Sequence, residues 1–240
     1  MAADTPTPRP SSTVVLVRPT EHVPEVFMVK RHAKASFGSK FAFPGGVLEA
    51  SDSAVLRMCS GINDAQASRL LDIATGGLAY YSAAIRELFE ESGVLLAQHR
   101  LSPDSLLEAR TALNAGDLDW LHFVDKNDLR LQCDRLHYFS FWITPIGAPK
   151  RYSARFFLAC VPRGQEASHD GGELTESCWM TAKSILKARK DKSMQLPYVT
   201  HKTLKRVAKF ADTSALLTWA EACGEKGVIC DQPAFRPGEV

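Results

Sequence analysis

In the run Ala84-Ile85-Arg86-Glu87-Leu88-Phe89-Glu90-Glu91-Ser92-Gly93-Val94, three glutamates stand at i, i+3 and i+4, so a helix would crowd them onto one face. Like charges at that spacing repel, and the arrangement costs stability unless cations neutralise it. The apolar periodicity predicts a helix over 78–96, with Ala83, Ala84 and Leu88 on the buried stripe and Gly93 near its end. Two neutralising arrangements are open. One is a hard divalent ion such as Mg²⁺, with Mn²⁺ as the alternative, because such ions take oxygen ligands and keep waters for a phosphate-bearing substrate. The other is a solvated face on which Arg86 pairs with Glu90 at i,i+4. Upstream, Phe43-Pro44-Gly45-Gly46 ends an aromatic strand in a tight turn whose bare backbone can approach a metal or a phosphate closely, which favours the first.

Together the two segments resemble the Nudix hydrolase family, whose signature is Gly-x5-Glu, seven residues, then Arg-Glu-apolar-x-Glu-Glu-x-Gly-apolar. Arg86, Glu87, Leu88, Glu90, Glu91, Gly93 and Val94 stand at every defined position of the second half. Counted from Gly46, Asp52 takes the first carboxylate position, and 33 residues rather than seven separate it from Arg86, an excess of about 26. That interruption is similar to the subgroup with a long insertion inside the Nudix box, which includes a peroxisomal coenzyme A diphosphatase. The Phe-Pro-Gly-Gly-Val-Leu opening and Arg151-Tyr152-Ser153-Ala154-Arg155-Phe156-Phe157 also resemble it, and the likeness spans 13 to about 210.

The resemblance implies a mixed sheet flanked by helices and one divalent-metal site, with Glu87, Glu90 and Glu91 as ligands and a Gly45 or Gly46 carbonyl completing the sphere. It places Arg86 in the catalytic set as the residue that orients a carboxylate. The implied reaction is metal-dependent hydrolysis of the pyrophosphate bond of a nucleoside diphosphate derivative. Coenzyme A or an acyl-coenzyme A leads, ahead of NADH, ADP-sugars or capped RNA; a ligand-sensing module without turnover is the alternative from another class. For the general base, Glu87 competes with Glu173 and Glu176 of the acidic stretch 170–176. On the substrate side stand Gly45 and Gly46, with Arg31 and Lys34, which together with Gly38 approximate the basic spacing of coenzyme A diphosphatases. Arg155 alternates with Phe157 on a strand, pointing either into a cleft or outward as a snorkelling side chain. Trp142 and Tyr152 are read as core aromatics.

The rest of the chain sets bounds. With 240 residues, 45% hydrophobic and 23% charged, it is long enough for one well-buried domain. A net charge of +2 supplies no global field for DNA or a membrane surface, so the expected partner is a small-molecule nucleotide, with a homodimer left open. Six cysteines show no zinc-ligand spacing, and no run approaches the roughly 18 apolar residues of a membrane span. With no signal-peptide core in MAADTPTPRPSS, the expected location is cytoplasmic. The expected fold is α+β: residues 1–12 a flexible tail, 13–210 the Nudix-type domain with 53–78 as a helical insertion of undecided role, and 211–240 a C-terminal helix and tail.

Overall fold

A computed structural model describes residues 6–31, 40–172 and 174–233. In chain order its elements are β1 (Arg9–Arg18), β2 (Glu25–Arg31), β3 (Phe41–Ala42), β4 (Gly45–Val47), α1 (Ala50–Ala54), β5 (Cys59–Ser60), α2 (Asp64–Leu71) and α3 (Gly77–Ser92). They continue with β6 (Ala97–Gln98), α4 (Pro103–Ala115), α5 (Trp120–Lys126), β7 (Arg130–Gln132), β8 (His137–Ile143), β9 (Tyr152–Cys160), β10 (Leu174–Thr181), α6 (Ala182–Lys190), α7 (Tyr198–Val207), α8 (Thr213–Lys226) and β11 (Cys230–Asp231). The main sheet runs β10-β2-β1-β9-β8-β11, with β3 against β2 and β4 against β1; β1 and β9 are parallel, β1 and β2 antiparallel.

The central strands read as unbroken apolar runs because both faces are covered. Val14 and Leu16 of β1, Phe27 and Val29 of β2 and Phe157 of β9 enter a core shared with α3 and the insertion. Their neighbours Val15, Val17, Val26, Met28, Phe156 and Leu158 enter a second core shared with α6, α7 and α8. The architecture is therefore α+β, a mixed sheet between two helical layers.

Three boundaries differ from expectation. β1 begins at Arg9 rather than 13, because Ser11 and Ser12 pair by backbone with β4 on one side and β9 on the other, which hydropathy does not register. The long helix stops at Ser92, where Gly93 takes a left-handed φ of 76° that releases the chain. At the other end Cys230–Asp231 adds a strand beside β8, and α8 buries Leu216 and Ala220 in the second core, so residues 213–231 pack onto the same body.

The insertion contributes β5 and α2. β5 starts a small three-stranded sheet with β7 and β6. α2 packs against α3, and Asp64 at its first residue accepts the N–H groups of Gly76 and Leu78 at 3.0 and 2.9 Å. Gly76, the residue before α3, offers no side chain as a cap. The inserted segment thus satisfies orphan donors at the start of the carboxylate helix.

Candidate active site

The site is assembled where α3 passes over β4. Gly46 pairs with Ser12 and Gly45 with Thr13 across β4 and β1, while Ser12 Oγ donates to Tyr80 O of α3 at 2.7 Å, fixing helix to strand. Gly46 then lies directly under Glu87: a Cβ at position 46 would stand 2.3 Å from Glu87 Oε1. Gly45 N–H donates to Glu91 Oε2 at 2.9 Å. Both glycines expected near the metal are thus brought against the carboxylates.

Arg86 is the hub. Only 2% exposed, it donates Nε to Asp52 Oδ1 at 3.0 Å and Nη2 to Asp52 Oδ2 at 3.1 Å and to Val47 O at 2.9 Å. Its Nη1 donates to Glu87 Oε1 at 2.9 Å and Glu90 Oε2 at 3.0 Å. The pairing of Arg86 with Glu90 expected of a solvated face is present, but it is buried and shared with two further carboxylates. Burial pulls the guanidinium pKa down, and Asp52, Glu87 and Glu90 more than offset it, holding the group above the ordinary arginine range. Burial pushes the Asp52 carboxyl up against the pull of Arg86. The Glu90 carboxyl is pushed up to about 7, first by burial and further by the neighbouring Glu87 charge, with Arg86 opposing.

Among the described residues, no three acidic, histidine or cysteine side chains converge on one point as a ready ligand set. Glu87 and Glu90 share Arg86 Nη1, while Glu91 turns to Gly45. The donors nevertheless suit a hard divalent ion: three carboxylates on one helix face, beside a backbone that stays bare where a Cβ would collide with Glu87.

A cleft of about 820 Å³ opens beside Glu87, Glu90 and Glu91. α4 and the start of α5 form its far wall, with Leu107, 62% exposed, Thr111 and Asn114 on α4; the 168–172 loop closes one end. Arg110 and Asn114 bind this wall to the helix, donating to Glu90 O at 2.9 and 3.1 Å, and a parallel stack of Phe89 on Phe123 at 5.5 Å secures α5.

The other expected residues are placed differently. Glu176 on β10 pairs with Lys30 on β2 at 2.8 Å and is absent from the described cleft lining, so the proton-acceptor role is not one its position supports. Arg155 is buried rather than cleft-facing or snorkelling: its guanidinium lies 3.5 Å from the Phe141 ring centre and donates to Tyr138 Oη at 2.8 Å. It stays there because the adjacent strand supplies aromatic faces to hold the charge. Arg31 ends β2, its backbone opposite Leu174. Lys34, Gly38 and Glu173 lie outside the described residues. Trp142 packs in the second core as expected. Arg110, Asn114 and His169 were not singled out from the sequence, since they come from segments with no motif of their own.

Gly45 and Gly46, expected as a tight turn, instead form the strand β4, because both pair by backbone with β1. That glycine strand, beside a buried arginine that gathers two carboxylates of one helix and set in a mixed sheet between helical layers, defines a Nudix-type domain. A family model described as the NUDT19 Nudix domain matches residues 56–207, and the chain belongs to that family. It is 26% identical over 234 residues to the acyl-coenzyme A diphosphatase NUDT19 of Xenopus laevis, covering 80% of this chain and 62% of the relative. To the human protein of the same name it is 27% identical over 155 residues, covering 58% of this chain and 41% of that one. The chain thus spans less than two thirds of either relative's length. A crystal structure of a Nudix hydrolase from Alicyclobacillus acidocaldarius superposes with a TM-score of 0.69 at 22% identity, covering 88% of this chain and 96% of that one, a likeness of fold.

Proposed function

We propose that this chain is a divalent-metal-dependent diphosphatase that hydrolyses the pyrophosphate of coenzyme A or an acyl-coenzyme A, giving 3′,5′-ADP and 4′-phosphopantetheine or its acyl ester. The observation that carries the reading is the Arg86-centred carboxylate group held against Gly45 and Gly46 at the edge of a cleft large enough for a nucleotide derivative. The names of the NUDT19 relatives support the coenzyme A assignment.

Glu87, Glu90 and Glu91 are the residues to hold Mg²⁺ or Mn²⁺, with the Gly46 carbonyl beside them. Bound there, the ion supplies neutralisation of pyrophosphate charge and activation of water. The protein's own part is positional. Arg86 keeps Glu87 and Glu90 together despite their repulsion, and Asp52 keeps Arg86 in place. Gly46 leaves room for the Glu87 carboxylate. The α4 wall, apolar at Leu107 and amide-bearing at Asn114, suits a pantetheine arm that alternates amides with methylenes. In the reaction a water oxygen bonds to phosphorus as the bridging P–O bond breaks, leaving two phosphomonoesters.

The test is a mass-spectrometric product assay of purified protein with Mg²⁺ and an equimolar mixture of coenzyme A, acetyl-coenzyme A, NADH, ADP-ribose and a diadenosine polyphosphate. Preferential formation of 3′,5′-ADP with phosphopantetheine is expected. AMP from the other components, with coenzyme A untouched, would keep the hydrolase and reject the substrate. No turnover of any component would leave a ligand-sensing role as the better account.

A further inference from the structure

Hydrolysis at phosphorus requires a group that takes the proton of the attacking water. Glu87 is engaged with Arg86, and Glu176 is paired with Lys30 away from the cleft. The 168–172 loop brings another base to the cleft: His169, the one imidazole among its described lining residues.

The loop is fastened on each side of that residue. Ser168 N–H donates to Ser92 O, a terminal carbonyl of α3, at 3.0 Å. Arg110, 6% exposed, donates Nε to Glu90 O at 2.9 Å and Nη2 to Ser168 O at 2.8 Å, so one guanidinium spans the carboxylate helix and the loop. His169 is then held by β10, where Ser177 Oγ lies 3.3 Å from its backbone N and 3.0 Å from its Nδ1. Leu174 N–H closes the turn on Asp170 Oδ1 at 3.0 Å. With the proton on Nδ1 donating to Ser177 Oγ, Nε2 keeps its lone pair and is the ring nitrogen with no protein partner among the described residues.

We propose that His169 is the proton acceptor for the water that attacks the pyrophosphate, with Ser177 and Arg110 as its positioning residues. As the water oxygen bonds to phosphorus, its proton passes to His169 Nε2. The electron pair of the breaking bridging P–O bond leaves on the departing phosphate, and His169 then returns its proton to that phosphate or to solvent. The inference rests on the pyrophosphohydrolase reading, and the experiment separates the two.

Wild type, His169→Ala and Ser177→Ala are assayed with Mg²⁺ on the substrate that wild type turns over best, and Mn²⁺ binding to each is measured by calorimetry. The expected result for His169→Ala is a kcat lowered about 100-fold or more with KM and Mn²⁺ affinity within threefold of wild type. Added imidazole should restore at least tenfold of that loss, and Ser177→Ala should show a smaller fall in kcat alone. If His169→Ala does not fold, His169→Gln, which retains a hydrogen-bonding side chain for Ser177, carries the same kcat comparison. A kcat within threefold of wild type, or a loss that imidazole does not restore in the folded Ala variant, overturns the proposal while leaving the hydrolase reading intact. Absence of turnover by wild type overturns both.

Discussion

Asp52 and Arg86 are 34 positions apart in sequence and meet in a two-pronged pair at 3.0 and 3.1 Å, with Asp52 fully buried. The inserted residues leave the chain after one partner and return before the other, and the geometry closes regardless. A shorter carboxylate than the signature's glutamate suffices because α1 brings it close, with Asp52 Oδ2 also accepting Glu49 N–H at 2.8 Å. Asp52→Ala should therefore leave Arg86 Nε without its partner while Glu87, Glu90 and Val47 O still hold the guanidinium, and cost about 3 kcal/mol, the low end for breaking a buried pair. Asp52→Glu, which restores the signature residue, should still cost about 1–3 kcal/mol because it adds a methylene to a fully buried site. Urea unfolding of both variants measures this; an Asp52→Glu protein as stable as wild type would show that the site tolerates either length.

Gly45 and Gly46 are adjacent yet constrained by different neighbours. A Cβ at Gly45 would fall 2.4 Å from Ser12 O and 2.7 Å from Thr13 Cα, both main-chain atoms, at a φ of 153°. At Gly46 the three nearest atoms it would meet all belong to the Glu87 carboxylate, the end of a flexible side chain, the closest at 2.3 Å. Gly45→Ala should thus destabilise by about 1–3 kcal/mol. Gly46→Ala should stay within about 1 kcal/mol of wild type and lose on the order of 100-fold in kcat/KM, because the displaced group is one the chemistry uses. Thermal unfolding alongside turnover separates the two; equal stability losses would show that position 46 is a backbone constraint as well.

Glu90 sets a pH dependence for the metal-free protein. Its carboxyl is raised from the ordinary 4.5 to about 7, so its contribution to stability is fully present below about 4.5 and is lost as pH rises through about 7. A cation competes with the proton for the same oxygens, and binding the folded state stabilises it. The thermal stabilisation by saturating Mg²⁺ should therefore be larger at pH 8 than at pH 6, and Glu90→Gln should flatten the difference. Differential scanning fluorimetry across that range, with and without Mg²⁺, reads it directly; a shift independent of pH would place the cation away from Glu90.

The helix and the hairpin of β1 and β2 were legible because each is encoded locally, by periodicity and by β-branched runs, whereas Gly45-Gly46 reads as a turn and is a strand because its partner β1 lies more than 30 residues upstream. The carboxylate group was legible for the same reason, since i, i+3 and i+4 spacing alone fixes which side chains share a face. What closes the cleft was not. Arg110 acts through carbonyls of Glu90 and Ser168, contacts that leave no pattern in the sequence. His169 lies in a segment whose position comes from hydrogen bonds to Ser92 and Ser177 rather than from its own residues. Arg155 alternates as a strand residue should, yet only the neighbouring strand decides that its charge rests on Phe141.

The insertion's role, undecided from the sequence, can be tested through Asp64 and Gly77. No residue of 53–78 is among the described lining of the cleft, whereas α2 lies against the back of α3 and Asp64 takes two of its first N–H groups. Those bonds hold the Asp64 carboxyl below the usual range, so its stabilising contribution is present above about 3.8 and is lost as pH falls through its lower folded value. Asp64→Ala should cost about 0.5–2 kcal/mol, as removal of a helix cap does. Gly77→Ala should cost more, because a Cβ there falls 2.3 Å from Ser68 N and 2.5 Å from the Ala67 carbonyl carbon, where only backbone could give way. Since α3 would keep its carboxylate turn, Asp64→Ala should hold kcat within about threefold at a temperature where it remains folded. Loss of kcat at unchanged stability would instead show that the insertion reaches the chemistry.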